Sequence, residues 1–300
     1  MGYQPFYLAW IAGQEDSGTL LRDFLGRAGI SRRALTAIKF KGGKVEVNGA
    51  ETTVRCMLSE GDEIKVTFPE EKSSTGLVPE EIDLDIVYED PYIIVLNKPP
   101  FMSTIPSREH PSGSIANALA GHYKKQGIHS TVHIVTRLDR DTSGLLLVAK
   151  HSHLHHLLSD QQKSGSVKRS YQAVVEGHIK EDSGRVEAPI GRRPESIIER
   201  EVREDGQYAC TLFTVLGRMA GHTHVQLQLL TGRTHQIRVH MSYLGHPLAG
   251  DTLYGGHRSF IERQALHCHQ LEFYHPFEGR TMIFDTEVPA DILALSASNT

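Results

Sequence analysis

Within nine residues, Thr136-Arg137-Leu138-Asp139-Arg140-Asp141-Thr142-Ser143-Gly144, the chain places two acids, two arginines and a Thr-Ser-Gly turn. The apolar run Leu145-Leu146-Leu147-Val148 follows at once. Charges at the mouth of a buried strand cost free energy unless they are paired. One arginine precedes Asp139 by two positions and another follows it directly. A guanidinium in reach keeps such a carboxylate ionised. An ionised carboxylate suits a nucleophile or a charge stabiliser, and suits a general acid poorly. Asp141 to Gly144 is turn chemistry, with side-chain oxygens able to bond the backbone. Taken alone, the stretch reads more readily as a charged turn tied down by Arg–Asp pairs than as a working site.

A second cluster shifts that balance. Leu229-Leu230-Thr231-Gly232-Arg233-Thr234-His235-Gln236-Ile237-Arg238-Val239-His240 leaves an alternating strand, turns at Gly232 and enters a helix. Ile237, Met241 and Leu244 share one face of that helix. Arg233 then stands beside the helix N-terminus, where N–H groups and the dipole favour anions. Arg233, His235, Gln236 and Arg238 together suit a phosphate, a carboxylate or a nucleic-acid backbone. A third segment, Lys168-Arg169-Ser170-Tyr171-Gln172-Ala173-Val174-Val175, opens an apolar strand at Tyr171. The plain expectation for that tyrosine is a half-buried core position.

These residues need elements to position them. Leu20, Leu21, Phe24 and Leu25 have helical spacing, and Gly29 stops the helix. Ser31 caps a second helix through Ala34, Leu35 and Ile38. Val45-x-Val47, an Asn48-Gly49 turn, and Ile64-x-Val66-x-Phe68 after Gly61-Asp62 complete a small helix-helix-strand-turn-strand unit over residues 12–69. Between Phe24 and Val45 it carries Arg27, Arg32, Arg33, Lys39, Lys41 and Lys44 and no acid. Residues 70–82 are polar, with Ser73-Ser74-Thr75-Gly76 and Pro79, and read as a linker. A larger domain over 83–295 opens with a hairpin, Leu84 to Tyr88 and Tyr92 to Leu96. Further strands are expected at 145–149, 171–176 and 225–229, and helices at 114–123, 154–162 and 234–244. Strands and helices alternate without a regular βα beat, so the fold class expected is α+β.

Bulk properties narrow the function classes. The 300 residues suffice for two domains, and hydrophobic and charged fractions of 39% and 23% are ordinary for a globular protein. Three scattered cysteines, Cys56, Cys210 and Cys268, suit a reducing compartment rather than a disulfide framework. No stretch is long enough to span a bilayer, so a cytoplasmic, unanchored protein is expected. Asp141-Thr142-Ser143-Gly144 matches the short aspartic-protease signature, but that chemistry needs a second carboxylate sharing the proton, and no second copy exists. His151 and His155 have a metal-compatible spacing, but no Glu follows His151, and Leu154, Leu157 and Leu158 make the segment an ordinary amphipathic helix.

Together the three clusters resemble the pseudouridine synthases of the RluA group. The family signature His-Arg-Leu-Asp-x-x-Thr-Ser-Gly-Leu corresponds to Thr136 through Leu145, and Lys-x-Tyr-x-Ala to Arg169 through Ala173. The third motif runs from Thr231 to His240 and continues into Gly245-His246-Pro247-Leu248-x-Gly250-Asp251-x-x-Tyr254-Gly255. Lys98-Pro99, Leu266-His267 and Phe273-x-His275-Pro276 complete the pattern over about residues 84–289. The N-terminal unit resembles an S4 RNA-binding domain. Thr136 stands where the family has histidine, and Arg169 where it has lysine.

The resemblance implies a mixed, largely antiparallel central sheet with flanking helices and loops, preceded by a small S4-like α+β domain. It implies isomerisation of flipped-out uridines in structured RNA, ribosomal RNA ahead of transfer RNA, by a monomer without cofactor, metal or membrane attachment. Asp139 carries over as the catalytic aspartate, with Arg233 as its ion-pair partner and Arg238 as the second candidate. Tyr171 would pack on the base. Arg137, Arg140, Thr142, His235, Gln236, Arg238 and His240 would contact RNA in the catalytic domain, and Arg32, Arg33, Lys39, Lys41 and Lys44 in the small domain. A non-catalytic RNA-binding protein is the competing class, and the intact Asp139, Tyr171 and Arg233 set argues against it.

Overall fold

A computed structural model describes residues 5–71, 76–108 and 110–297. Residues 72–75 of the expected linker therefore lie outside the described residues, as do residues 1–4. The small domain consists of β1 (Tyr7–Ile11), α1 (Leu21–Arg27), α2 (Arg32–Phe40), β2 (Lys44–Val47), β3 (Ala50–Glu51) and β4 (Glu63–Thr67). Ser31 caps α2, its hydroxyl accepting the N–H of Ala34. Asn48 and Gly49 both take positive φ, as a tight turn between β2 and β3 requires. The sheet has the order β1-β4-β2-β3. It begins at Tyr7, ahead of the expected start at residue 12, because β1 pairs antiparallel with β4 along its full length. Leu21, Leu25, Ile38, Ile64 and Val66 fill the core between this sheet and the helices.

The larger domain runs β5 (Ile86–Glu89), β6 (Ile93–Lys98), α3 (Ile115–Gln126), β7 (His133–Ile134), β8 (Ser143–Ala149), α4 (Ser152–Lys163), β9 (Lys168–Glu176) and β10 (Ser183–Glu187). It continues through β11 (Ile190–Arg192), β12 (Arg200–Val202), β13 (Cys210–Met219), β14 (His222–Leu229), α5 (Gln236–Tyr243), β15 (Leu266–His275), β16 (Arg280–Asp285) and α6 (Ala290–Ala297). The main sheet has the order β10-β13-β14-β9-β15-β8-β6-β5, with β16 beside β15 and β7 beside β8; β11 and β12 form a separate hairpin. Only the β8–β15 pairing is parallel among the described strands, so the sheet is mixed and largely antiparallel, as expected. No described helix is long and apolar enough to cross a membrane.

β8 explains why its sequence is an unbroken apolar run. Leu145, Leu147 and Ala149 enter one core, and Leu146 and Val148 enter another on the opposite face. α4 and α5 pack on the first face through Leu154, Leu158, Ile237 and Met241, and α3 on the second through Ile115, Leu119 and Tyr123. Gly144, the second residue of β8, has φ 114, and a Cβ there would lie 2.3 Å from the Cys268 carbonyl oxygen. Only glycine lets β8 start against β15, which places the preceding loop at the strand ends.

The two domains share a seam of aromatic rings and a hydrogen-bonded carboxylate. The Phe6 ring stacks on His151 at 4.2 Å, and Phe68 lies 5.0 Å from His151 and 5.1 Å from His153. Glu71, just beyond β4, accepts hydrogen bonds from His133 Nε2 at 2.6 Å, the Ser130 hydroxyl at 2.9 Å and the Ser152 N–H at the start of α4 at 2.8 Å. Burial alone would raise its carboxyl pKa. The His133 hydrogen bond, the nearby imidazoles and the Ser152 N–H outweigh that and hold it below the usual carboxylate range. His151 is pushed down to about 4 by burial.

Both folded-state values lie below their unfolded ones, so both contributions are present near neutrality and are lost as pH falls. His151 acts between its ordinary 6.5 and about 4, and Glu71 lower still. Glu71→Gln is expected to cost about 2 kcal/mol in urea unfolding at pH 7. The difference from wild type should shrink as the solution is acidified through the carboxylate range. A difference that holds constant with pH would count against a charged Glu71 at the seam.

Candidate active site

The loop between β7 and β8 is held from outside by groups far away in sequence. The Thr104 hydroxyl donates to the Leu138 carbonyl at 2.7 Å. Lys98, at the end of β6 and wholly inaccessible to solvent, donates from Nζ to the carbonyls of Pro99, Met102 and Arg140 at 2.7, 2.8 and 2.9 Å. Burial pulls its pKa down to about 7 against the charges of Asp141 and Asp139. Arg263 Nη1 reaches the Asp141 carbonyl at 3.3 Å, and Gln264 donates to the Thr142 hydroxyl at 3.1 Å. Ser143 bonds His267 at 2.9 Å. The Thr142 N–H closes the turn on the Asp139 carbonyl at 3.1 Å. Thr136 is buried and accepts the Leu147 N–H at 2.9 Å, so it works as a splint between the loop and β8.

This loop presents Asp139 to a cleft of 1020 Å³. Its side chain retains 29% exposure. Arg238, on α5, donates from Nη1 to Asp139 Oδ2 at 3.3 Å, while its Nε and Nη2 bind Asp251 at 2.7 Å each. The expected Asp139–Arg233 pair is therefore corrected: Arg238 holds the aspartate. Arg233 lines the cleft but is exposed, with Nε donating to the Tyr208 carbonyl at 2.9 Å. Arg233 stands on the exposed turn before the helix, where the Tyr208 carbonyl takes its guanidinium, and His235 between the two arginines has a left-handed conformation, φ 57.

Two further expectations are corrected. His240 is fully buried, bonded to Thr211 at 2.9 Å and to the Ala188 carbonyl at 3.0 Å, and has no face for RNA. Gln236 is also buried. Its oxygen accepts from Thr231 and the Arg233 N–H, and its amide donates to Cys210 and Thr211. It shapes the turn from beneath. Arg140 pairs with Asp141 at 2.9 Å rather than with Asp139. Arg137 is exposed on the cleft and makes no ion pair among the described residues. Thr142 and Tyr171 line the cleft as buried walls. Burial raises the Tyr171 phenol well above its ordinary value, so it stays protonated. Arg32, Arg33, Lys39 and Lys41 are exposed on the small domain, whereas Lys44 is tied to Glu46 at 2.8 Å.

Sequence reasoning gave no role to Asp251, Tyr254 and Arg169. Tyr254 lies over the Arg238 guanidinium at 4.9 Å and bonds His235 at 2.8 Å. Arg169 is 8% exposed and lines the cleft beside Tyr171. The Gly-Asp-x-x-Tyr-Gly string was the available signal for the first two. Three carboxylates line the cleft. Asp141 is paired with Arg140, and Asp251 is fully engaged by Arg238. Asp139 and Asp141 each keep one oxygen, Oδ1 and Oδ2 respectively, without a partner among the described residues, but only Asp139 is held by a buried arginine, Arg238, whereas Asp141 pairs with the exposed Arg140. The arrangement offers an oriented, accessible carboxylate in a cationic cleft, suited to attack on, or proton removal from, a ligand whose own phosphates are held by arginines.

The family model for RNA pseudouridylate synthase matches residues 92–243. The uncharacterized RNA pseudouridine synthase YjbO of Bacillus subtilis is 56% identical over 275 residues, spanning 92% of this chain and 97% of that protein. Ribosomal large subunit pseudouridine synthase D of Neisseria meningitidis is 38% identical over 278 residues, 88% of this chain and 74% of that one. Among solved structures, human RNA pseudouridylate synthase domain containing 1 superimposes with a TM-score of 0.59 at 25% identity, covering 75% of this chain and 98% of its own.

Lys98→Met keeps the stem but leaves three carbonyls without a donor. It is expected to lower stability by about 3 kcal/mol and to accelerate amide exchange across residues 136–142. Unchanged exchange in that loop, measured by mass spectrometry, would show that Lys98 does not clamp it.

Proposed function

Because the chain belongs to the RNA pseudouridylate synthase family, we propose that it converts specific uridines of large-subunit ribosomal RNA to pseudouridine, with Asp139 as the catalytic carboxylate. As a member it is an isomerase. The glycosidic bond between the ribose C1′ and uracil N1 breaks, the base turns, and a C1′–C5 bond forms in its place. The hydrogen on C5 leaves as a proton, and N1 takes one up. No electrons are gained or lost overall.

The single observation that carries the assignment of Asp139 is how it is held: a buried arginine, Arg238, takes one of its oxygens and leaves the other open to a cleft large enough for a flipped nucleotide. Asp139 acts on the ribose, as a nucleophile at C1′ or as the base that leads to a glycal intermediate. Arg238 holds it by Oδ2. Tyr171, buried and protonated, walls the base. Arg137, exposed on the same cleft, is placed to hold the RNA backbone or the gap left in its stack.

Ribosomal RNA is favoured over transfer RNA because relatives spanning most of this chain carry the name ribosomal large subunit pseudouridine synthase D. The small domain supports a structured RNA partner. We read it as an S4-like RNA-binding unit over residues 12–69, extended by β1, with residues 70–82 joining it to a catalytic domain over 83–295. Arg32, Arg33, Lys39 and Lys41 carry no ion pairs among the described residues, and Phe40 beside them is 79% exposed. Cations around a bare aromatic ring suit phosphates and an unstacked base.

Two measurements test this reading. Asp139→Asn should abolish tritium release from large-subunit ribosomal RNA transcribed with [5-³H]uridine, while RNA affinity changes by no more than about two-fold. Turnover within a few-fold of wild type would remove Asp139 from its role. Replacing Arg32, Arg33, Lys39 and Lys41 with alanine should weaken binding and lower the slope of log K against log salt by about 0.7–0.9 per lost phosphate contact. Release from transfer RNA but not from ribosomal RNA would move the substrate class.

A further inference from the structure

Two donors converge on one oxygen of Asp139. Arg238 Nη1 stands 3.3 Å and His235 Nε2 3.8 Å from Oδ2. The state of that imidazole follows from its other nitrogen. The backbone N–H of Arg200, at the start of β12, donates to the Tyr254 hydroxyl oxygen at 2.9 Å. A phenol has a single proton to give, and the acceptor in reach is His235 Nδ1 at 2.8 Å. Nδ1 therefore accepts. In a neutral imidazole the ring proton then sits on Nε2, the nitrogen that faces Asp139. Burial lowers the pKa of this histidine, with Arg238 adding to the effect and Asp139 opposing it, which favours the neutral ring near pH 7.

The backbone agrees with a working role. His235 is one of three non-glycine residues with positive φ among the described residues. A side chain with a Cβ is disfavoured there, and such positions persist where the surroundings over-determine them. Here the left-handed turn aims the ring into the cleft, between Tyr254 and Asp139. Tyr254 has two separable duties. Its ring lies over the Arg238 guanidinium at 4.9 Å, and its hydroxyl fixes the His235 tautomer.

We infer that His235 is a positioning residue for the isomerisation: as the Nε2–H tautomer fixed by Tyr254, it joins Arg238 in holding Asp139 Oδ2, so that Oδ1 is the oxygen turned toward the ribose. The inference rests on the assignment of Asp139 above. The 3.8 Å separation is longer than a hydrogen bond, and it closes when a nucleotide fills the cleft, as loose contacts in empty sites do. The consequence is a choice between the two carboxylate oxygens, made before substrate arrives. Without it, Asp139 rotates about its side-chain torsion and offers either oxygen.

The test begins on the intact protein labelled with ¹⁵N at histidine, with the His235 signals assigned by their loss in His235→Gln. At pH 7.5 Nδ1 should show the shift of an acceptor nitrogen and Nε2 that of a protonated one. Tyr254→Phe, which keeps the ring over Arg238, should give a mixture of tautomers. An Nδ1–H tautomer or an imidazolium in the wild type overturns the inference, even if no kinetic variant folds.

Kinetics on [5-³H]uridine-labelled large-subunit ribosomal RNA supply the second arm. His235→Ala should lower kcat by about 10- to 100-fold, the worth of one hydrogen bond to a charged group, with KM within about two-fold. His235→Gln, whose amide can donate from near the place of Nε2, should recover at least about three-fold over alanine. Loss confined to KM, or glutamine no better than alanine, would show that the ring only packs. If Asp139→Asn is inactive while His235→Ala is fully active, this inference fails and the assignment of Asp139 stands. If Asp139→Asn is itself active, both fail.

Discussion

The buried guanidinium of Arg238 is the constraint around which the site is arranged. It lies on α5 with 9% of its side chain exposed, and a cation so placed must be matched by anions. Asp251 matches it in a two-point pair, taking Nε and Nη2. That leaves Nη1, and Asp139 takes it at a longer distance. The cluster therefore holds two carboxylates against one guanidinium. The tight pair satisfies the cation, and the loose one leaves Asp139 oriented and reachable. Had Asp139 held the bidentate position, its oxygens would have been consumed as those of Asp251 are. On the proposed assignment of Asp139, division of one guanidinium between a structural and a working carboxylate is what turns an ion pair into a site.

Holding Asp139 at that distance requires both ends of the contact to be fixed. On one side, α5 is pinned by His240 to Thr211 and Ala188, and by Gln236 to Cys210. On the other, the loop bearing Asp139 has its carbonyls drawn to Thr104, Lys98 and Arg263. These anchors come from β6, the loop after it, and the approach to β15, which flank β8 in the sheet. The fold thus delivers the loop bearing Asp139 at the ends of its most buried strands. The buried polar groups there are costly in isolation and stable because each is answered.

How much of this could be read from the chain depended on whether the signal was local. Helix α3 was legible over residues 114–123, and the structure carries it one turn further, to Gln126, where Gly127 ends it. β8 was legible from an unbroken apolar run, and Asp139 from its neighbours together with two distant motifs. The partner of Asp139 was not. Arg233 and Arg238 are both arginines near one helix start, and spacing cannot tell which points inward. Arg238 falls in the buried run of α5 and Arg233 on the exposed turn before it, and nothing about a histidine announces the left-handed conformation of His235 between them. Helical periodicity failed for a related reason. Residues 236–241 are buried without a break, so α5 has no solvent face there to reveal, and His240 looked like a ligand-facing residue when it is a core anchor. β1 was missed because only Leu8 of its five residues is buried; an edge strand with one core contact leaves little pattern.

The seam between the domains gives the cationic small domain a consequence beyond binding. Phe6 and Phe68 pack against His151 and His153, and Glu71 is locked to His133, Ser130 and the first N–H of α4. The chain between the domains is therefore anchored at its first residues rather than free to swing. A basic face on a flexible tether would raise the local concentration of RNA without selecting among its uridines. On the proposed function, a basic face held at a fixed offset from Asp139 would restrict which uridines reach the cleft while the phosphates are engaged. Rigidity at the seam would then serve specificity as the divided guanidinium would serve chemistry: each sets a distance that the substrate has to match.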